Sequence, residues 1–436
     1  MQQARQCEFW KREEREALSF SGMCGIMKLP NQKFDAQCVC DYNEKNKEDT
    51  DLNAYQVSLP RTIYSGENAL EKLREVVKAA KKVALFAGET VQRAGLIERP
   101  LAILQEEGKE VVIISDLPPE PTCDEAQRMV DAFRETGADF VLAIGGGSTM
   151  DAAKLAAMLM TEPYTVREVL ENPTLPKRTI PVCTIPTTSG TGSEATPISV
   201  VSIPEQELKV GIVNMSMIPD YVILDAEMVR TLPRKVAAAS GVDALAHAIE
   251  CFTSNKANPF SDTYALDALD RIFRNIEKAC DDPDAMEAKN QMQIAAFYAG
   301  IAITASGTTA VHALSYPLGG KYHIAHGVAN AMLLMPVMRF NEPFIRDKLA
   351  MAYDRVTGGT GSATTEEEKS SWIIERMGEI VRNLDIPTGL AEFNVSEDDL
   401  EILVEAGMQV TRLLNNNMRP VTPQDARDIY LQLLRG

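Results

Sequence analysis

The chain contains only four histidines, and three of them, His312, His323 and His326, fall within AVHALSYPLGGKYHIAHGVAN at residues 310–330. The fourth, His247, follows Asp243 by four residues in GVDALAHAIE. On a helix that spacing sets a carboxylate and an imidazole on one face, one turn apart. Pro317 and Gly319-Gly320 separate His312 from His326. They are expected to break the helix and let the second segment turn back toward the first. One carboxylate with two or three imidazoles is a nitrogen–oxygen set suited to Fe(II) or Zn(II). A single histidine is more often a satisfied core or surface group. Here the whole histidine complement lies in two short segments, one with a carboxylate at i−4, and that argues for a metal centre.

Two further stretches carry the types and spacing of a phosphate cradle. Gly145-Gly146-Gly147-Ser148 follows the apolar run FVLAI and precedes a helical pattern. Glycines let backbone approach a diphosphate, and a helix start offers free N–H groups and a positive dipole end. The dinucleotide fingerprint is incomplete, because Met150 stands where its third glycine belongs. The second stretch, IPTTSGTGSEAT at 185–196, presents Thr187, Thr188, Thr191 and Ser193 around glycines. Either stretch alone fits an ordinary capped turn; two after successive strands favour a ligand cradle. Lys209, on a following hairpin pattern, offers a positive charge, although edge lysines are common on exposed strands.

These residues need elements to position them. From about residue 55, short continuous apolar runs (KKVALFAG, KEVVIISD, ADFVLAIGGGS, TIPVCTIP, YVILD) alternate with helical spacings (ENALEKLREVVKAA, TVQRAGLIERPLAILQEEG, DEAQRMVDAFRETG, TMDAAKLAAMLM). Strands without polar alternation are buried on both faces, hence a parallel sheet. VSIPEQELKVGIV reads as a hairpin. After about residue 230 the runs carry helical spacing almost throughout. The expected architecture is α/β followed by all-α: a parallel-sheet nucleotide-binding domain over 55–230 and a helical domain over 231–436. Residues 1–54 read as an appendage, with partial disorder expected. The cleft between the two domains is the default place for a site.

Composition excludes several classes. Apolar residues make up 45% and charged residues 24% of 436, so most of the chain is globular. A net charge of −18 repels phosphate backbones and anionic lipid heads, so no nucleic acid and no membrane partner is expected. No run of apolar residues is long enough for a transmembrane span, and the first twenty residues lack the apolar core of a secretory signal. Eight cysteines in a chain this long are no disulfide framework, so a cytoplasmic protein with reduced thiols is expected. Cys38 and Cys40 have no matching pair nearby and are assigned no metal.

Taken together, GGGSTMDAAK, IPTTSGTGSE, GVDALAHAIE and HALSYPLGGKYHIAHGVANAMLLMPVMRFN resemble the iron-containing (group III) alcohol dehydrogenase family, whose fold is dehydroquinate synthase-like. The resemblance runs from about Leu59 to the end. It implies metal ligands at Asp243, His247, His312 and His326, and a diphosphate loop at Gly145, Gly146, Gly147 and Ser148 with Asp151 and Lys154 behind it. It also implies a cofactor-lining loop at Thr187, Thr188 and Thr191, and a cofactor-side lysine at Lys209. The implied activity is hydride transfer between NAD or NADP and a small alcohol or aldehyde, at Fe2+ or alternatively Zn2+. Related reactions also carried by the superfamily are a hydroxyacid–oxoacid transhydrogenase and a dehydroquinate-synthase-like lyase. A homo-oligomer is expected from the resemblance alone. Three positions depart from the pattern. Gly88 stands where many members keep a ribose-binding aspartate, which leaves room for NADP. Tyr316 stands where many keep a second histidine, so His323 or Tyr316 is the expected proton relay. Glu120 replaces an amide near the adenosine side.

Overall fold

The computed structural model of the chain describes residues 54–118, 121–203 and 208–435. The expected appendage with its four cysteines, and Glu120, lie outside the described residues. Six strands form one parallel sheet: β1 (Thr62–Ser65), β2 (Lys82–Phe86), β3 (Glu110–Ile114), β4 (Phe140–Gly145), β5 (Val182–Pro186) and β8 (Tyr221–Leu224). Their order is β1-β8-β5-β4-β2-β3, with every pairing parallel. β6 (Ile198–Ile203) and β7 (Leu208–Val213) make a separate antiparallel hairpin. All six residues of β4 and all five of β5 are buried. Apolar clusters cover both faces of the sheet, which is why these strands read as unbroken apolar runs.

The order of strands fixes where a ligand can sit. The chain runs from β2 outward to β3, then returns to β4 on the other side of β2. That reversal opens a crevice beyond the carboxyl ends of β2 and β4, the usual nucleotide position in such sheets. Gly88 follows β2 and Gly146 follows β4, so both lie at the crevice.

Helices α1 (Leu73–Val76), α2 (Glu89–Arg93), α3 (Glu98–Glu106), α4 (Cys123–Thr136), α5 (Gly147–Leu159) and α6 (Val166–Glu171) flank the sheet. Two differ from the sequence reading. The pattern at 67–80 forms a 3-10 turn at Ala69–Lys72 and a single α turn, because Asn68 is left-handed at φ 58 and the Leu70 N–H is drawn to Asp225 Oδ2. The pattern at 90–108 splits in two at Gly95, whose φ of +74 no helix tolerates. β1 was not anticipated. It is a four-residue edge strand whose side chains alternate between half-buried and exposed, and it carries no strong apolar signal.

The helical domain begins at α7 (Arg234–Phe252) and continues through α8 (Pro259–Asp281), α9 (Met286–Ala305), α10 (Ala310–Tyr322), α11 (His326–Val356), α12 (Glu366–Asn383), α13 (Leu400–Gln409), α14 (Thr411–Leu414) and α15 (Pro423–Arg435). A single apolar cluster joins α7 through α15. No single described helix is long and apolar enough to cross a membrane.

The break between His312 and His326 falls elsewhere than expected. Pro317 and Gly319-Gly320 all lie inside α10. Burial of most of that helix carries it through the proline, and Gly319 serves a close approach instead: a Cβ there would lie 2.7 Å from Lys209 Nζ. The turn comes at His323, left-handed at φ 55, where the Ile324 N–H reaches back to the Leu318 carbonyl at 3.3 Å. Histidine is among the few non-glycine residues enriched in that conformation.

Candidate metal and cofactor site

α7 sets Asp243 and His247 on one buried face, α10 brings His312, and the first residue of α11 is His326. One ligand atom from each lies within 4.8 Å of every other. The Nε2 atoms of His247, His312 and His326 are 3.9, 3.7 and 3.6 Å from Asp243 Oδ1. Four ligands around one ion with bonds of about 2.1 Å stand about 3.4 Å apart in tetrahedral geometry, so the donor set fits a single divalent cation.

The outward nitrogens are committed in a way that frees the inward ones. His247 Nδ1 lies 3.3 Å from the Gly190 carbonyl oxygen and, as the donor, keeps its Nε2 lone pair for the cage. His312 Nδ1 is held by Glu250 Oε2. Glu250 is fully buried, and its other oxygen accepts from Thr309 N at 3.1 Å, Thr309 Oγ1 at 2.6 Å and Val311 N at 2.7 Å. The sequence reading missed Glu250. It lies at i+7 from Asp243 on the same face of α7, a spacing visible in GVDALAHAIE.

Electrostatics favour a cation in the cage. Burial alone would raise the Asp243 carboxyl, but His247, His326 and His312 outweigh it and hold it far below the usual range. Burial would lower His312, yet the Glu250 carboxylate overrides it and pushes the imidazole up to about 9. Burial depresses His247, and depresses His326 to about 4. Two buried carboxylates and three imidazoles in one place carry two negative charges when the imidazoles are neutral. A divalent ion offsets both, which makes so much buried charge tolerable.

The cofactor candidates cluster around the crevice. Gly145 ends β4, Gly146 caps α5, and Gly147 and Ser148 form its first turn. A Cβ on Gly147 would lie 2.8 Å from Thr191 Cγ2, and one on Gly146 would lie 3.6 Å from Thr188. Any larger residue would fill the space between the helix start and the threonine loop. The Thr187 N–H bonds the Gly145 carbonyl at 2.9 Å, and Thr188 Oγ1 is buried without a hydrogen-bond partner. An unsatisfied hydroxyl beside open backbone at a helix N-terminus fits a diphosphate oxygen.

Asp151 and Lys154 do not face that space. Asp151 accepts from the Ser193 hydroxyl and from Val200 N at 3.0 Å, and Lys154 pairs with it at 3.0 Å while donating to Ser193 O at 2.9 Å. They tie the threonine loop and the hairpin to α5. Lys209 reaches across from β7 to Gly319 of α10 and is among the charges acting on His326. Gly88 has no atom within 4 Å of a would-be Cβ. Tyr316 lies beside His326 with its ring tilted, centroids 6.1 Å apart, whereas His323 is exposed at the helix turn, outside the ligand cluster. Of Ile303, Phe252 and Tyr316, which the sequence suggests as pocket walls from the helical domain, Phe252 is instead fully buried in the helical core against Lys348.

The threonine loop meets the helical domain directly. Gly192, at φ +60, faces Gly300 of α9 so closely that a Cβ would lie 2.6 Å from Gly300 Cα. Beside it Glu194 is buried next to Lys154 and Asp151, and burial pushes its carboxyl from the ordinary 4.5 to about 7, against the opposing pull of Lys154. A raised folded-state value means stabilisation that is full below about pH 4.5 and lost as pH rises through about 7, about 3 kcal/mol at most. Glu194→Gln carries no charge at any pH. Its unfolding free energy, followed by urea titration, should vary less between pH 4.5 and 8 and exceed that of the wild type at pH 8. An unchanged pH slope would show that Glu194 titrates normally.

Comparison with known proteins identifies the family. The profile described as "Iron-containing alcohol dehydrogenase" matches residues 60–226, and that described as "Fe-containing alcohol dehydrogenase family, C-terminal" matches residues 237–434. Long-chain-alcohol dehydrogenase 1 of Geobacillus thermodenitrificans is 35% identical over 390 residues, 88% of this chain and 98% of that one. The NADPH-dependent butanol dehydrogenase of Clostridium saccharobutylicum is 30% identical over 351 residues, 80% and 89% of the two chains. Among solved structures, a 1,3-propanediol oxidoreductase superposes with TM-score 0.82 at 27% identity, covering 87% of this chain and all of that one. The chain belongs to the iron-containing alcohol dehydrogenase family. It is an oxidoreductase of the alcohol dehydrogenase and aldehyde reductase type.

Proposed function

We propose that the protein interconverts aldehydes and primary alcohols with NADP(H) at an iron ion held by Asp243, His247, His312 and His326. The convergence of those four ligand atoms within 4.8 Å carries the reading. It is reinforced by the His247–Gly190 contact, which joins the metal cage to the loop of the cofactor cradle. The three-imidazole, one-carboxylate set suits Fe(II), in keeping with the family. When bound, the ion supplies Lewis acidity for the substrate oxygen and the nicotinamide gives or takes the hydride.

The chain's own residues do the positioning. The backbone at Gly146, Gly147 and Ser148, with the α5 N-terminus and the free Thr188 hydroxyl, binds the diphosphate. Thr187 and Thr191 shape the same wall, with Asp151 as their brace. Lys209 places a positive charge between the hairpin and α10, where cofactor and metal cage meet. Burial raises the Tyr316 phenol, so it keeps its proton and serves as a donor toward the substrate oxygen beside His326. His323, at the exposed turn, passes protons between that end of the cleft and water.

Gly88 supports NADP over strict NAD use: the position itself carries no carboxylate to repel a 2′-phosphate. The butanol dehydrogenase relative, named as NADPH-dependent, points the same way. Steady-state kinetics with both cofactors and a panel of aldehydes test the reading, with NADPH expected to support turnover at least as well as NADH. Because Gly88 has an ordinary φ of −64 and open surroundings, Gly88→Asp should fold normally. It should move the NADPH/NADH ratio of kcat/KM toward NADH by about tenfold or more. A wild type that turns over with NADH alone, or a variant with an unchanged ratio, contradicts the assignment.

The protein is further proposed to be a cytoplasmic homo-oligomer. Among the described residues, Cys183, Cys251 and Cys280 are free thiols, which suits a reducing compartment. Phe344 and Met351, seven residues apart on one face of α11, are about half exposed and suit a subunit contact.

A further inference from the structure

Between the β6–β7 hairpin and the helical domain stands a cation that neither the metal cage nor the diphosphate cradle uses. Arg412 lies in α14, which packs against α10 with Leu413 and Leu414 buried, so its backbone is anchored. Its side chain is exposed and reaches the hairpin: a Cβ on Gly211 of β7 would lie 3.7 Å from Arg412 Nη2. Lys209 precedes Gly211 by two residues, so both positions share one face of β7, and Lys209 meets α10 at Gly319. Among the described residues Arg412 has no ion-pair or hydrogen-bond partner.

The guanidinium acts on the reacting end of the site. Burial raises the Tyr316 phenol, and the charge that acts on it most is Arg412, which opposes burial and ranks ahead of Glu250 and Asp243. Tyr316 in turn lies beside His326. A substrate whose oxygen stands between His326 and Tyr316 therefore has Arg412 as the nearest strong cation outside the cage on the helical side. Hydride transfer has no use for a positive charge there. A guanidinium presents a planar fork of N–H donors that matches an oxyanion, and it is a local exception in a chain of net charge −18. The cofactor diphosphate does not account for it, because that cradle is built from Gly146, Gly147 and Thr188 at the start of α5. We propose that Arg412 is a specificity-determining residue that binds an oxyanion at the far end of the substrate, so that the preferred aldehydes and alcohols carry a carboxylate or phosphonate tail. The proposal rests on the reductase reading above and narrows its substrate class.

The test uses full-length, metal-loaded protein with NADPH and two matched pairs of aldehydes. Succinic semialdehyde is paired with its methyl ester, and phosphonoacetaldehyde with propanal, so the two arms also separate a carboxylate from a phosphonate. In at least one pair the anionic member should have the higher kcat/KM by about 10- to 100-fold, the scale of a charge-assisted contact. Most of the difference should lie in KM, because the tail is held equally before and during hydride transfer. Arg412→Gln removes the charge from an exposed side chain and should bring that ratio close to one. Added salt should shrink the preference of the wild type, since an exposed charge is screened, and should leave the ratio of the variant where it is. A wild type that reduces both members of each pair equally, or a glutamine variant that keeps the preference, overturns the anion site and leaves the reductase standing. A variant whose KM rises for NADPH instead of for the anionic aldehyde places Arg412 on the cofactor and likewise overturns the proposal. A wild type that reduces no aldehyde with either cofactor overturns the reductase reading itself, and the anion site with it.

Discussion

His326→Ala is expected to abolish turnover while leaving the fold intact. The side chain of His326 is 35% exposed, against 3–7% for the other three ligands. Truncating it therefore opens a space that solvent can enter instead of a closed cavity, so the cost in stability is smaller than at the other three ligands. What is lost is one of three imidazoles. Removing an outer partner of a metal ligand already costs about 10- to 100-fold in affinity, so removing the ligand itself should cost at least about 100-fold. The three measurements are metal content after gel filtration, the thermal unfolding midpoint in chelator, and turnover. Metal and activity should disappear together while the midpoint in chelator stays near that of the wild type. A variant that keeps its metal and its turnover would remove His326 from the site.

Glu250→Gln should lose metal although it touches no metal itself. Three donors converge on Glu250 Oε1, and His312 Nδ1 meets Oε2. Glutamine must keep its carbonyl toward the three donors, which turns its amide hydrogens toward His312 Nδ1. His312 can accept that contact only by moving its own proton to Nε2, the nitrogen that faces Asp243. The substitution thus converts a ligand into a donor through its tautomer, a loss of about 10- to 100-fold in metal affinity. Glu250→Ala would add the cost of an uncompensated buried imidazolium, about 3–5 kcal/mol of stability. Metal affinity by competition titration separates the two effects, and a glutamine variant with wild-type affinity would show that His312 is oriented by something else.

How much of this was legible in the sequence depended on the physics of each feature. β2, β4 and β5 were readable because burial on both faces leaves an unbroken apolar run. β1 was not, because a short edge strand needs only half its side chains inside. The ligands stood out because histidine is so scarce in the chain and because Asp243 and His247 share a helical face. The route that unites them was misjudged at Pro317 and Gly319. Tertiary burial overrode the proline, and the actual reversal uses a left-handed histidine, whose modest preference for that conformation is a weaker signal than proline or glycine. Glu250 escaped notice because it acts through a ligand already found. Yet it lies at helical spacing from one, at i+7 from Asp243. Asp151 and Lys154 were placed by the family pattern behind the diphosphate loop, and their contacts give the reason: they fasten the threonine loop and hairpin to α5.

The most direct test of the account measures metal content and NADPH-dependent aldehyde reduction on one sample of full-length protein, first chelated and then reloaded with Fe(II) under exclusion of oxygen. The account predicts that activity falls to background with the metal and returns in proportion to bound iron, saturating at about one ion per chain. Chelated protein that contains no metal and still reduces aldehyde at the original rate would contradict it.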